Sequence, residues 1–264
     1  MEKIGFIGMG NMASAIVQGI VGKGAIASHR VLAYDHHPEK LQAMVDGCGI
    51  LICRSEEELI EAADAIVIAI KPNYIGALLE RQKERLKGKV VISLAAGWTY
   101  EKFAALLDAS TRILCIMPNT PALVGEGVLL FEQTHSLEQA EYAYIKGLMS
   151  ATGLVEELPS HLMGIGGVIS SCSPAWIAMM IEALADAGVM YGVPRATAYR
   201  LVSQAVKGTA ALQIETGNHP GVLKDQVCSP AGTTIVGVKS LEENRMRGAF
   251  LDAVDAVMKR KKEA

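Results

Sequence analysis

The residues Gly8-Met9-Gly10-Asn11-Met12-Ala13 follow a short apolar run and open a helix-period segment. In a dinucleotide site the first glycine permits the tight turn, and the second lets the backbone approach a pyrophosphate. A small third residue, here Ala13, lets helix pack closely on strand. The helix start then offers N–H groups and a positive dipole end to the phosphates. Asp35, 22 residues after Ala13, stands where an acidic side chain accepts hydrogen bonds from the adenosine ribose. It repels a 2′-phosphate, which favours NADH, but His36, His37 and Lys40 follow at once, and a protonated His or a Lys accommodates that phosphate. NADPH or NADH is therefore expected, bound by Gly8, Met9, Gly10, Asn11, Met12, Asp35 and His36.

Three later apolar runs end in turns of small residues and prolines: Ala69-Ile70-Lys71-Pro72-Asn73, Leu94-Ala95-Ala96-Gly97 and Met117-Pro118-Asn119-Thr120-Pro121. Ligands of open α/β sheets lie outside the carboxyl ends of the strands, so Ala69, Lys71, Pro72, Ala96, Gly97 and Asn119 are expected beside the ribose and nicotinamide. Ordinary turn chemistry is the competing explanation for each. Further on, Ser229-Pro230-Ala231-Gly232-Thr233-Thr234 precedes another helix-period segment. Successive backbone N–H groups and hydroxyls at such a start make a carboxylate site without an arginine. A plain N-cap is the alternative. Ile169 to Ala175, which includes Ser173, is a second polar helix entrance.

These motifs need elements to place them. Lys3 to Gly8, Arg30 to Asp35, Ala65 to Ile70, Lys89 to Leu94 and Arg112 to Met117 are apolar without polar alternation, the pattern of strands covered on both faces. Helix-period segments lie between them, including Asn11 to Gly22 and one opened by Ser55 with Glu58. The pattern predicts α/β architecture: a Rossmann-type, doubly wound parallel sheet over residues 1–159. Beyond it, Ser173 to Tyr191, Pro194 to Glu215, Thr233 to Glu243 and Arg245 to Lys259 predict an all-helical domain over residues 160–264. Its many apolar residues exceed what about 100 residues can bury alone, so part of this surface is expected against a second copy of the chain, the alternative being that it covers the first domain.

Composition excludes other classes. Half of the 264 residues are hydrophobic and the formal net charge is −3, with no basic block beyond the tail Lys259 to Lys262, which ends a helical pattern; this argues against a nucleic-acid partner. The five cysteines form no CxxC pair and no histidine is spaced for zinc, so no metal is expected and the thiols read as free and cytoplasmic. No run reaches the roughly 18 uninterrupted apolar residues of a membrane span.

Taken together, the opening Gly-Phe-Ile-Gly-Met-Gly-Asn-Met, Ala-Ile-Lys-Pro-Asn, Ile-Met-Pro-Asn-Thr-Pro, Glu182 to Gly188 and Ser-Pro-Ala-Gly-Thr-Thr-Ile resemble the pyrroline-5-carboxylate reductase family, end to end and in order. The resemblance implies reduction of 1-pyrroline-5-carboxylate to proline with NAD(P)H, the last step of proline biosynthesis. It also implies a helical domain that dimerises by interlocking, often in a ring of five dimers. It places the substrate carboxylate on the backbone amides of the turn built by Ser229, Gly232, Thr233 and Thr234, the Thr234 hydroxyl near the ring nitrogen, and Ser173 on the facing wall. The family usually has Ser-Gly-Ser-Gly-Pro-Ala where this chain has Ser170 to Ala175, and Gly-Gly where it has Ala231-Gly232. If position 231 needs positive φ, alanine there costs on the order of 1 kcal/mol. Two other readings stand beside this one: an enzyme like the 3-hydroxyacid dehydrogenases, which expects a lysine on the helix after Ser173, and a dinucleotide-binding regulatory paralogue without turnover.

Overall fold

The computed structural model describes residues 1–263. The chain divides into two compact units, Met1–Ser171 and Cys172–Ala264. The first unit therefore runs past the expected boundary at residue 159 and includes one further helix.

In the first unit the order is β1 (Ile4–Ile7), α1 (Asn11–Gly22), β2 (Val31–Tyr34), α2 (Pro38–Cys48), β3 (Leu51–Ile52), α3 (Glu56–Ala62), β4 (Ala65–Ile68) and α4 (Pro72–Gln82). There follow β5 (Val90–Ser93), α5 (Tyr100–Ala104), β6 (Arg112–Pro118), β7 (Gly127–Glu132), α6 (Gln139–Ser150), β8 (Gly153–Leu158) and α7 (Ser160–Gly167). The eight strands form one sheet in the order β3-β2-β1-β4-β5-β6-β7-β8. All neighbours are parallel except β6 and β7, which run antiparallel.

Both faces of the sheet are covered, which explains the uninterrupted apolar runs. Alternate residues go to opposite sides: Phe6, Val67, Ile92 and Leu114 join the core under α1, α2 and α6. Ile7, Ile66, Val91 and Ile113 join the core under α3, α4 and α5. Local signals start the helices. Ser55 Oγ accepts the Glu58 amide at 3.2 Å, while the Glu58 carboxylate reaches the Arg54 amide at 2.7 Å rather than that of Ser55. Pro38 and Pro72 occupy the first positions of α2 and α4, where the missing N–H goes unused.

The second unit holds α8 (Ser173–Met190), α9 (Arg195–Thr216), α10 (Pro220–Gln226), α11 (Thr233–Glu243) and α12 (Met246–Glu263). Only α10 is unexpected from the sequence. Helices α8 and α9 pack together, as do α11 and α12. Among the described residues of this unit the buried apolar side chains are Ala185 and Ala198 alone. Met179, Met190, Leu201, Ile214, Val236 and Leu251 are each more than half exposed. By length and composition alone, the helical run Ser160–Met190 is apolar enough to cross a membrane, although its serines and Pro174 interrupt every longer apolar stretch.

Candidate active site

From β1 the chain passes to β2 and β3 on one side, and β4, β5 and β6 lie on the other, so the topological switch falls between β1 and β4. Adjacent strand ends splay there and leave a crevice at their carboxyl edge. Register brings the sequence motifs to that edge: Ile7 pairs with both Tyr34 and Ile68, Ile68 with Ser93, and Ser93 with Cys115.

The turn after β1 is fixed from both sides. The Gly8 amide donates to the Tyr34 carbonyl at 2.8 Å. Gly8 has φ +96°, and a Cβ there would meet the Ala69 carbonyl oxygen at 2.7 Å, so no other residue fits. At Gly10, by contrast, a Cβ would project into open space, which is the room a diphosphate requires. Gly10 caps α1 without a side-chain hydrogen bond and sits in extended backbone, with Asn11 exposed at the helix start. The residues present thus fit a dinucleotide.

Asp35 holds this turn. Its Oδ2 accepts the Met9 amide at 2.6 Å and its Oδ1 accepts the His37 amide at 2.9 Å. Each oxygen keeps a lone pair for a further donor. Beside it lies a cavity of about 660 Å³ lined by Gly8, Asp35, His36, Glu56, Glu57 and Arg81 among others. Burial, and then the charges of Glu56, Glu57 and Asp35, push the Tyr34 phenol above its ordinary value. A hydrogen bond from Gln82 holds the Glu57 carboxyl down at about 2. Sequence reasoning missed Glu56, Glu57, Tyr34 and Arg81 in this wall; the run of three glutamates after Ser55 was the available signal.

The remaining expected cofactor residues share the same edge of the sheet, outside that cavity. Lys71 and Pro72 are exposed at the start of α4, and Ala96 and Gly97 are exposed in the turn after β5. These turns are tied down: the Trp98 indole donates to the Pro72 carbonyl at 3.0 Å and the Lys102 ammonium to the Gly97 carbonyl at 2.5 Å. Met9 is buried and Met12 and Ala69 are half-buried. Asn119 differs from the rest. Its side chain is buried, donating to the Ser170 carbonyl and accepting the Val128 amide, both at 2.8 Å. It acts as an internal brace. The Ser171 hydroxyl adds a bond to the Pro118 carbonyl at 3.2 Å, so the end of β6 anchors a π turn over Val168–Cys172.

In the second unit Ser173 begins α8, whereas Ser229 to Thr234 begins α11. The Gly232 amide donates to the Ser229 carbonyl at 3.0 Å, closing a turn with Pro230 and Ala231 at its centre. Ala231 has φ 56°, left-handed like the third residue of a type II turn. Ser229, Thr233 and Thr234 are exposed and Gly232 is half-buried. The turn thus presents amides and hydroxyls at a helix start.

Residues 160–264 match the family model for pyrroline-5-carboxylate reductase dimerisation, and residues 3–97 match the model described as NADP oxidoreductase coenzyme F420-dependent. Pyrroline-5-carboxylate reductase of Treponema pallidum is 42% identical over 97% of this chain and 98% of its own. That of Escherichia coli is 38% identical over 98% and 97%. The crystal structure of Plasmodium falciparum pyrroline carboxylate reductase with NADP bound superposes with a TM-score of 0.90 at 32% identity, covering 100% of this chain and 98% of that one.

Proposed function

The chain belongs to the pyrroline-5-carboxylate reductase family, and from that premise we propose how its residues reduce 1-pyrroline-5-carboxylate to proline with NAD(P)H. The reading rests above all on one arrangement: the Gly8 to Asn11 turn, locked by Asp35 at the switch point of the sheet, opens onto space that a diphosphate can fill. When bound, the nicotinamide cofactor supplies the hydride.

The protein's task is orientation. Gly8, Met9, Gly10, Asn11 and Met12 hold the diphosphate, Asp35 and His36 face the adenosine ribose, and Ala69, Lys71, Pro72, Ala96 and Gly97 flank the nicotinamide half. Asn119 contributes through the brace it gives to the end of β6. The substrate carboxylate takes the amides of Gly232, Thr233 and Thr234, with Ser229 and Ser173 completing its surroundings. A protonated cyclic imine is already electrophilic. Its carbon accepts the hydride while the C=N π pair becomes the nitrogen lone pair, so neither a metal nor a covalent nucleophile is needed. Thr234 orients the ring nitrogen by a hydrogen bond. An ordinary hydroxyl is too weak an acid to act as proton donor at neutral pH.

The helical unit pairs with a second copy. Supporting this are its match to a dimerisation family and its exposed Met179, Met190, Leu201 and Ile214. A ring of five such dimers is the assembly we infer. A cytoplasmic setting would keep the five free thiols reduced. The 3-hydroxyacid dehydrogenase reading requires a lysine on α8, and that helix has none.

The test is oxidation of NADH or NADPH on adding pyrroline-5-carboxylate to purified protein. Turnover with this substrate and not with 3-hydroxyacids is expected. Cofactor binding without turnover would instead fit the regulatory paralogue.

A further inference from the structure

The cavity beside Asp35 has a second acidic wall that the reduction itself does not use. Glu56 and Glu57, at the first turn of α3, line it together with Asp35 at the end of β2. One guanidinium, Arg81, also lines it, but both of its contacts here go to Glu56 at 3.2 Å. Gln82 is buried and donates to Glu57 at 2.5 Å and to Glu56 at 3.2 Å, so both carboxylates are held in place. Of the three basic residues named after Asp35, His37 and Lys40 do not line the cavity, and both histidines are engaged. His36 Nδ1 lies 3.3 Å from the Tyr34 hydroxyl, and His37 Nδ1 lies 3.4 Å from Glu39.

We propose that this chain selects NADH over NADPH, with Asp35, Glu56 and Glu57 forming an acidic nucleoside pocket that repels the 2′-phosphate. The proposal rests on the dinucleotide-site reading and does not depend on the imine substrate. A ribose bearing free hydroxyls gains from such a pocket, because each oxygen of Asp35 retains a lone pair after accepting one backbone amide. A 2′-phosphate in the same place adds about two negative charges opposite three carboxylates, of which only Glu56 has a cationic partner in the wall. Asp35 cannot swing aside to relieve this, because its two oxygens hold the Met9 and His37 amides. The turn that grips the diphosphate and the group that refuses the 2′-phosphate are thus one structure. Glu57 is the added determinant, since the buried Gln82 holds its carboxylate in place.

The experiment is calorimetric titration of the purified protein with NAD+ and with NADP+, without substrate, at low and at high salt. The expected result is at least about tenfold tighter binding of NAD+ at low salt, with the ratio shrinking as salt screens the repulsion. Glu57→Gln should narrow the ratio by about threefold, through NADP+ alone, because one screened charge at this distance is worth about that much. Asp35→Asn should narrow it further, and circular dichroism and the thermal midpoint would show whether the turn survives. Glu57→Gln changes a half-buried helix start and keeps an oxygen that can accept from Gln82, so it keeps the test open if Asp35→Asn unfolds. NADP+ binding as tight as NAD+ in the unmodified protein, or a ratio unmoved by Glu57→Gln, overturns the proposal while leaving the cofactor site intact. Failure to bind either coenzyme overturns the site reading itself.

Discussion

Asn119 and Ser170, 51 residues apart in sequence, are joined by a 2.8 Å hydrogen bond from the Asn119 side-chain amide to the Ser170 carbonyl. The other end of the same amide accepts from Val128, so a buried side chain links β6, β7 and the π turn. Asn119→Ala should cost about 1 to 3 kcal/mol, because it takes their partner from the part-buried Val128 N–H and Ser170 carbonyl. Asn119→Asp should be nearly as costly, since it sets a carboxylate against the Ser170 carbonyl. Chemical denaturation measures both, and a loss below 1 kcal/mol for Asn119→Ala would show that water replaces the brace.

Ala231 is a non-glycine residue in left-handed backbone at the turn before α11. Replacing it by glycine removes roughly 1 to 2 kcal/mol of strain but restores unfolded-chain freedom of roughly 0.5 to 1 kcal/mol. Ala231→Gly should therefore raise stability by about 0.5 kcal/mol, and Ala231→Val should lower it and raise KM for the imine. Thermal midpoints paired with steady-state kinetics report the two effects. A lower midpoint for the glycine variant would mean that Ala231 makes a compensating contact in the assembly.

In the proposed site, Thr234→Ala would remove one hydrogen bond to the substrate and should reduce kcat/KM by about tenfold, the usual net value of such a bond. Cofactor affinity should stay nearly unchanged, and Thr234→Ser should recover most of the loss. Unaltered kcat/KM in the alanine variant would take Thr234 out of the site.

Gln82 contributes to the acid limb of stability. Its amide holds the Glu57 carboxyl at about 2, below the ordinary value of 4.5. A carboxyl depressed in the folded state stabilises fully above its unfolded value, and that contribution is lost as pH falls from 4.5 toward 2. Gln82→Met should let Glu57 return toward its ordinary value and flatten this part of the profile. Thermal midpoints between pH 5 and pH 2 test it; identical slopes for both proteins would assign the limb to other carboxylates.

Ile214 and Leu201 on α9 are 77% and 61% exposed in the single chain, so a charge there leaves the fold of one copy undisturbed. Ile214→Glu with Leu201→Glu should nevertheless weaken self-association and activity together. Sedimentation velocity would show the shift to smaller species, and an unchanged sedimentation coefficient would move the interface to another face of the helical unit.

Much of this architecture was legible because local chemistry and tertiary position agree. β1, β2, β4, β5 and β6 announced themselves as apolar runs because both faces are covered, and Gly8 to Ala13 did so because the turn demands Gly8 and leaves open space beside Gly10. β3 has two residues and β8 mixes Glu156 and Glu157 with apolar neighbours, so neither carries a strand signal of its own. β7 lies antiparallel to β6, an inversion that no periodicity encodes. Within the site, the position of Asp35 was readable but its grip on the Met9 and His37 amides was not, because the Met9 partner lies 26 residues away. Asn119 read as a cofactor residue because a turn sequence does not reveal which way its amide points. The positive φ conditionally anticipated at position 231 is met at 56°.

The sparse interior of the helical unit has a further consequence. With Ala185 and Ala198 as the buried apolar side chains among its described residues, this half of the chain leaves most of its apolar surface for a neighbouring copy to cover, in keeping with its match to a dimerisation family. Its folding then obeys mass action, and thinning the solution acts on these helices as a denaturant would.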